Sequence, residues 1–478
     1  MSDIDNLPDH LTKGGPGDKY LGDGKVDTSS WFKDVTILED QIRNDEIWFC
    51  SAPFQMIYTD TDGTMAPCSW ALTQYRSVAP NIKDKKIKTY FQDNEEINQL
   101  RKEMTTPGSD LATVNKVCAA CRKQEKLYGR SRRQAALKIQ TNDHGLWPEI
   151  RKMVETFKKT GKARIQHRVF EVQVKAFGNK CNLDCYMCIP EDSSTRIKTM
   201  TSELFANDNI FFPKYPKEGL PKTSKTRLAE IVDEIVEIAP YIYNLKFIGG
   251  EPLVMKEFYT LLEKIVDSGH AKGMQVKYQT NMSVLELEKI QLTKFIPEFD
   301  LFEFTVSLDG VGKYNNYIRR RSNWDKIVAN IDTVLEYPNV NVNINGTISF
   351  LSVLRFYRLI EWAKSNDKIE QVNWSNIRGP AKLCANVLPQ ELKDELIPKY
   401  EGFPDIQNVL KEDNGGLHYQ DTIDYLLKMD KHYTGTKWEY HLFDTYPELE
   451  KYHTPKVNPF VEVAKNLEEK YGSVPITE

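Results

Sequence analysis

The chain has 478 residues, more than one compact domain at the usual scale of about 100–200 residues, so two or three units are expected. An apolar fraction of 40 % with 11 % aromatics is enough to fill a sizeable core and excludes a chain disordered throughout. Lys+Arg 64 against Asp+Glu 68 leaves a net charge of -4, which argues against a dedicated nucleic-acid surface. No apolar run reaches the length of a membrane span, and the opening MSDIDNLPDH has neither the basic nor the apolar region of an export signal. A reducing, cytoplasmic location is therefore expected, where clustered cysteines are metal ligands more often than bridges.

In chain order, residues 1–45 read as a polar, mobile leader rich in Gly and Asp. Residues 46–140 hold four cysteines among short strand and turn signals. There QMIYT, a DTDG turn and a segment ending at Cys68 predict a hairpin, and a helical pattern starts at Val117. From residue 165 the pattern changes. Strand runs are expected at 169–177, 244–249, 274–280, 302–308, 340–350 and 370–377, with amphipathic helices at 227–239, 256–270, 323–337 and 352–365 between them. Strands alternating with helices imply a parallel sheet, and this number of repeats suits a partial (β/α)6 TIM-type barrel over 165–384. Residues 191–226 read as an insertion, and 385–478 as C-terminal accessory helices such as 422–433.

Cys181, Cys185 and Cys188 form C-x3-C-x2-C in KCNLDCYMCIP, just after the first barrel strand and on the face where such barrels build active sites. Three thiolates on one loop do not close a tetrahedral zinc site. They can hold three irons of a [4Fe–4S] cluster and leave the fourth open, or form a zinc site completed from elsewhere. Cys50 and Cys68 frame C-x12-G-x4-C around Gly63, and Cys118 and Cys121 add C-x2-C. These pairs suit a zinc ribbon or a fully ligated cluster, and spacing does not choose. Cys384 stands alone, either a small buried hydrophobe or an open-site ligand. Arg122, Arg130, Arg132 and Arg133 follow the second pair and read as a solvated helix face, with an anion patch or a cluster-tuning group as the alternative.

C-x3-C-x2-C after the first strand of a partial barrel resembles the signature of radical S-adenosylmethionine (SAM) enzymes, over about residues 165–380. IGGEPLV after the second strand resembles the family's GGE motif, which implies that Gly249, Gly250 and Glu251 hold the methionine amino group of SAM. QTNMS resembles its TN motif (Thr280, Asn281), and SLDG its S-x-D motif, placing Ser307 and Asp309 at the ribose or carboxylate. In YIRRRSNWDKI the resemblance implies an Arg on the methionine carboxylate. Arg319 is the choice, with Arg320 and Arg321 as rivals. Asn345 and Asn373 are weaker candidates to line the pocket. Met187 stands where the family often carries an aromatic bordering the adenine. CNLDCYMC resembles the twitch-containing subgroup, and the N-terminal cysteines resemble SPASM and twitch modules, although those usually follow the barrel.

The resemblance implies a catalytic [4Fe–4S] cluster, SAM and a second, auxiliary [4Fe–4S] cluster. It also implies a peptide, protein or small-molecule substrate and an electron donor such as flavodoxin or ferredoxin. The alternative is a barrel without catalysis, whose four-cysteine zinc module binds a partner.

Overall fold

Eight strands form one sheet: β1 (Met56–Thr59), β2 (Met65–Ala66), β3 (Val169–Val174), β4 (Ile242–Phe247), β5 (Gln275–Thr280), β6 (Leu301–Ser307), β7 (Val340–Ile348) and β8 (Ile369–Asn376). Their order is β8-β7-β6-β5-β4-β3-β1-β2, and every neighbouring pair except β1–β2 is parallel. The architecture is seen in a computed structural model, in which residues 37–72, 79–129, 131–138, 146–166, 168–205, 223–377, 379–412 and 418–454 are described. Among these, no helix is long and apolar enough to cross a membrane.

The strands from β3 to β8 overlap the runs expected from their β-branched and aromatic content, with ends that differ by three residues or fewer. β6 shows why the sheet has two characters. Phe302, Phe304 and Val306 are fully buried on one face, while Glu303, Thr305 and Ser307 lie on the other. The apolar face takes the helices: Phe258, on the helix Lys256–Asp267, packs 4.6 Å from Phe247 of β4. The polar face carries ion pairs such as Lys277 of β5 with Glu303 at 3.2 Å. A sheet wrapped by helices on its apolar side leaves the strand C-terminal ends free to carry a site.

The expected N-terminal hairpin forms, with Tyr58 opposite Ala66, and it joins the barrel sheet: Ile57 of β1 pairs in register with Val172 of β3. Two findings differ from the sequence reading. Residues 1–36 of the expected leader lie outside the described residues, but Ile37–Arg43 is a helix that buries Leu38 and Ile42 and holds Glu39 against the Trp147 indole. Between the hairpin and Val117, where strands and turns were expected, lie the helices Ile87–Asp93, Glu95–Thr105 and Ala112–Val117. Asn94 caps the second by accepting the Ile97 N–H at 2.9 Å, and Ile97, Leu100 and Met104 form its buried stripe. Of the expected insertion, Ser194–Met200 is a helix capped by Ser193, and 206–222 lie outside the described residues. C-terminal helices include Gln390–Leu396, Pro404–Lys411 and Tyr419–Tyr433, and residues 455–478 lie outside the described residues.

Candidate active site

The loop after β3 is tied down at both ends. The Thr195 hydroxyl donates to the Cys181 carbonyl at 2.6 Å, the Cys188 N–H bonds the Cys185 carbonyl at 3.1 Å, and Asp184–Cys185 pairs antiparallel with Arg319–Arg320. The Asp184 carboxylate accepts from Thr199 and Tyr433, each at 2.7 Å, and meets Arg196 at 3.4 Å. Cys185 instead faces Arg319, whose Nη1 stands 4.0 Å from its sulfur. Burial pushes the Cys181 thiol up to about 12, with the Cys185 thiol and Glu251 adding to it. Cys185 reaches about 11, with Arg319 opposing the rise, and Cys188 is raised well above the ordinary thiol value.

Gathered, desolvated thiols resist becoming anions unless a cationic centre offsets them. The donor set therefore fits a thiophilic iron–sulfur cluster, with Cys181, Cys185 and Cys188 as holders. Among the described residues no three Cys, His, Asp or Glu side chains already stand in ligating geometry.

The GGE turn sits directly against this loop. Gly249 and Gly250 adopt φ +91 and +51, and a Cβ on Gly250 would stand 2.3 Å from the Lys180 carbonyl oxygen. Only glycine allows that approach, and it lets the Glu251 N–H donate to the same carbonyl at 2.8 Å. The Glu251 carboxylate is buried and accepts from the Leu253 N–H (3.0 Å), the Thr280 hydroxyl (2.7 Å) and the Asn281 N–H (2.6 Å). Burial still pushes it up to about 7, against these bonds. Asn281 donates to Asn182 at 3.0 Å, and Asn182 to Ser283 at 2.7 Å, so the cysteine loop is also latched to the end of β5.

From the end of β6, Asp309 is fully buried. It accepts the Thr347 N–H at 2.7 Å and forms an ion pair with Arg319 Nε at 2.8 Å. Burial raises its carboxyl, with Arg319 opposing. Of the three candidate arginines, Arg319 thus lies between Asp309 and Cys185. Arg320 is buried against Asp430 at 3.0 Å, and Arg321 is exposed. Ser307 ends β6 in register with Asn345, which is in register with Asn373. Met187 is half-buried between the second and third cysteines.

The sequence reading missed Lys175, whose Nζ bridges Asp60 at 3.1 Å and Asp192 at 2.8 Å, and whose Cγ lies 2.4 Å from where a Gly249 Cβ would stand. The available signal was its parity: Lys175 continues the polar alternation of Glu171 and Gln173.

The N-terminal thiols come from three separate segments and feel one another's charge. Burial raises all four, Cys50 to about 12, and for Cys118 the other three add to the rise. Backbone N–H groups of Ala52, of Trp70 and Ala71, and of Arg133 oppose that rise at Cys50, Cys68 and Cys121 respectively. Donors that favour the anion suit thiolates bound to metal. The basic segment is not the expected solvated face. Arg133 pairs with Glu125 at 2.7 Å, donates to the Phe49 carbonyl at 2.6 Å and faces the thiols, while Arg132 lies over Trp70 at 5.3 Å. Arg130 lies outside the described residues. Cys384 is buried in the apolar core, its sulfur 3.8 Å from the Pro380 carbonyl.

Residues 176–350 match the model of the Radical SAM superfamily. The chain is 25% identical over 170 residues to molybdenum cofactor biosynthesis protein 1 of Dictyostelium discoideum, covering 35% of this chain and 22% of that protein. The chain thus spans less than a quarter of that relative's length. Similar solved structures include Streptococcus suis SuiB (16% identity, TM-score 0.33, 67% of this chain and 63% of that one) and TYW1 with a lysine–pyruvate adduct bound (16%, TM-score 0.25, 46% and 70%).

Proposed function

From the radical SAM domain that residues 176–350 form, we propose that the chain is an enzyme that cleaves SAM reductively and abstracts hydrogen from a peptide, protein or small-molecule substrate. One observation carries this reading: the three-thiol loop is bonded directly to the GGE turn and the TN strand end through Lys180 and Asn182. Thiol loop and SAM-binding turn are thereby held as one unit. A [4Fe–4S] cluster on Cys181, Cys185 and Cys188 would supply one electron to SAM, leaving methionine and a 5′-deoxyadenosyl radical.

The chain's own residues position SAM. The Glu251 carboxyl, raised by burial, gains a stabilised anion when an ammonium group arrives. Arg319 is fixed through Nε by Asp309 and turns Nη1 toward Cys185, so a carboxylate beside the cluster meets a pre-oriented guanidinium. Gly249 and Gly250 keep the backbone open to the ligand. Glu251→Ala or Arg319→Ala is expected to weaken SAM binding by roughly 10- to 100-fold, the worth of one charge-assisted contact.

The test is anaerobic reconstitution followed by assay for 5′-deoxyadenosine. Product should vanish in the Cys181/Cys185/Cys188 triple-Ala variant, and wild-type production by that variant would refute the reading.

For the N-terminal thiols the proposal is a second, auxiliary [4Fe–4S] cluster of twitch or SPASM-like kind. It is supported by four gathered, desolvated thiols, Cys50 buried and Cys68, Cys118 and Cys121 half-buried, beside the Arg133 guanidinium. In the triple-Ala variant this site alone remains, so about four irons support a cluster, and one zinc without iron a structural ribbon.

A further inference from the structure

Behind the cysteine loop lies a cavity of about 730 Å³. Its lining includes Lys198, Arg321, Lys437, Tyr433, Trp438 and Tyr440. The wall between cavity and loop is thin. Lining residues Thr199 and Tyr433 both bond the Asp184 carboxylate at 2.7 Å, and lining residue Thr195 bonds the Cys181 carbonyl at 2.6 Å. Asp184 lies between Cys181 and Cys185 and pairs with Arg196, whereas Cys185 meets Arg319. The cavity therefore approaches the thiols from the side opposite Arg319 and Asp309.

Its charge departs from that of the chain. Lys198, Arg321 and Lys437 are exposed and make no ion pair among the described residues, although the whole chain carries a net charge of -4. Among the described residues, Glu439 is the one carboxylate in the lining. Tyr433, Trp438 and Tyr440 form a run of contacting rings, tilted at 5.9 Å and edge-to-face at 5.0 Å between centroids, and among the described residues the Trp438 indole N–H has no acceptor. Free cations around an aromatic floor suit a partner that presents carboxylates around a flat redox group.

We propose that this cavity and its basic rim are the docking surface for a small acidic electron-carrier protein. The proposal rests on the radical SAM reading, which requires one electron from outside. One electron passes from the reduced carrier, which is oxidised, to the cluster on Cys181, Cys185 and Cys188. No atom or proton moves with it. Delivery from behind leaves the Arg319 side to SAM and substrate.

The test uses reduced flavodoxin as the probe on the reconstituted full chain. Flavodoxin binding is read by fluorescence anisotropy across ionic strength, and cluster reduction by bleaching of its visible absorbance. The Lys198→Glu/Arg321→Glu/Lys437→Glu variant should bind flavodoxin about tenfold or more weakly, with a flatter salt dependence, and be reduced by it correspondingly slowly. Lys198→Glu/Lys437→Glu, which leaves the Arg321 backbone untouched, should show most of the effect. Reduction by dithionite, too small to need docking, should match wild type in both.

Flavodoxin binding and reduction within about twofold of wild type in the triple variant would overturn the proposal, as would uptake of AMP by the cavity with flavodoxin binding unmoved. If dithionite fails to bleach even the wild-type protein, the radical SAM reading itself has failed, and the docking surface with it.

Discussion

Gly250→Ala isolates the contact on which the candidate site depends. At φ +51, an L side chain pays about 1–2 kcal/mol for the left-handed backbone alone. The new Cβ would also stand 2.3 Å from the Lys180 oxygen, 2.7 Å from the Asn179 carbonyl carbon and 2.8 Å from Met255 Cε. The methionine end can swing aside, but the two backbone atoms cannot. Lys180 must retreat, which stretches the Glu251 N–H bond to its carbonyl, worth about 1 kcal/mol, and shifts Cys181, the next residue. The total is roughly 2–4 kcal/mol of stability. Displacing a reacting group by about 1 Å costs on the order of a hundredfold in rate.

Gly269 is the control: its φ is +75 and nothing lies within 4 Å of its Cβ position, so Gly269→Ala pays the backbone term only. Thermal melting should rank Gly250→Ala below Gly269→Ala. At a temperature where both are folded, only Gly250→Ala should lose 5′-deoxyadenosine formation, by about a hundredfold. A Gly250→Ala protein that cleaves SAM at the wild-type rate would refute the argument that this turn and the cysteine loop act as one unit.

Asp430 accepts from Tyr317, Arg320 and the Leu442 N–H, so Asp430→Ala leaves Arg320 buried without its partner. About 3–5 kcal/mol should be lost in urea titration, while SAM affinity below the melting transition stays within a factor of about two because Arg319 is untouched. Burial raises the Glu251 carboxyl from 4.5 to about 7, so the folded state without SAM keeps a proton that the unfolded state releases. Stability should therefore fall as pH rises through that window, by up to roughly 3 kcal/mol. Glu251→Gln should flatten that part of the urea-midpoint profile, and an unchanged slope would count against it. Arg133→Met removes the guanidinium facing Cys50, Cys118 and Cys121 and should weaken metal retention at the N-terminal site about 10- to 100-fold in chelator competition.

Period and punctuation made the barrel strands legible. Runs such as 302–308 alternate large apolar and polar residues, and that alternation survives folding because one sheet face takes helices and the other lines the site. The cysteine spacing and the GGE tetrapeptide were legible because their chemistry is local: three thiols within eight residues share a loop however the rest of the chain packs. Local signals were also overruled. Ile87–Thr105 is helical because Asn94 caps a stripe of Ile97, Leu100 and Met104 that needs the rest of the fold to bury it, with Arg101 sealed beneath against the Pro53 carbonyl.

What the sequence alone determined is therefore the list of reactive groups and the order in which strands present them, since both depend on neighbours a few residues apart. Only the tertiary structure decided which arginine of the Arg319, Arg320, Arg321 run faces the thiols. The three are adjacent and identical in chemistry, and the pairing of Arg319 with Cys185 across a two-residue ribbon sends one inward, one to Asp430 and one to the surface. It likewise decided that Arg133 turns toward the N-terminal cysteines and that Lys175 joins Asp60 to Asp192. Charges more than a hundred residues apart meet only when a parallel sheet sets β1 beside β3.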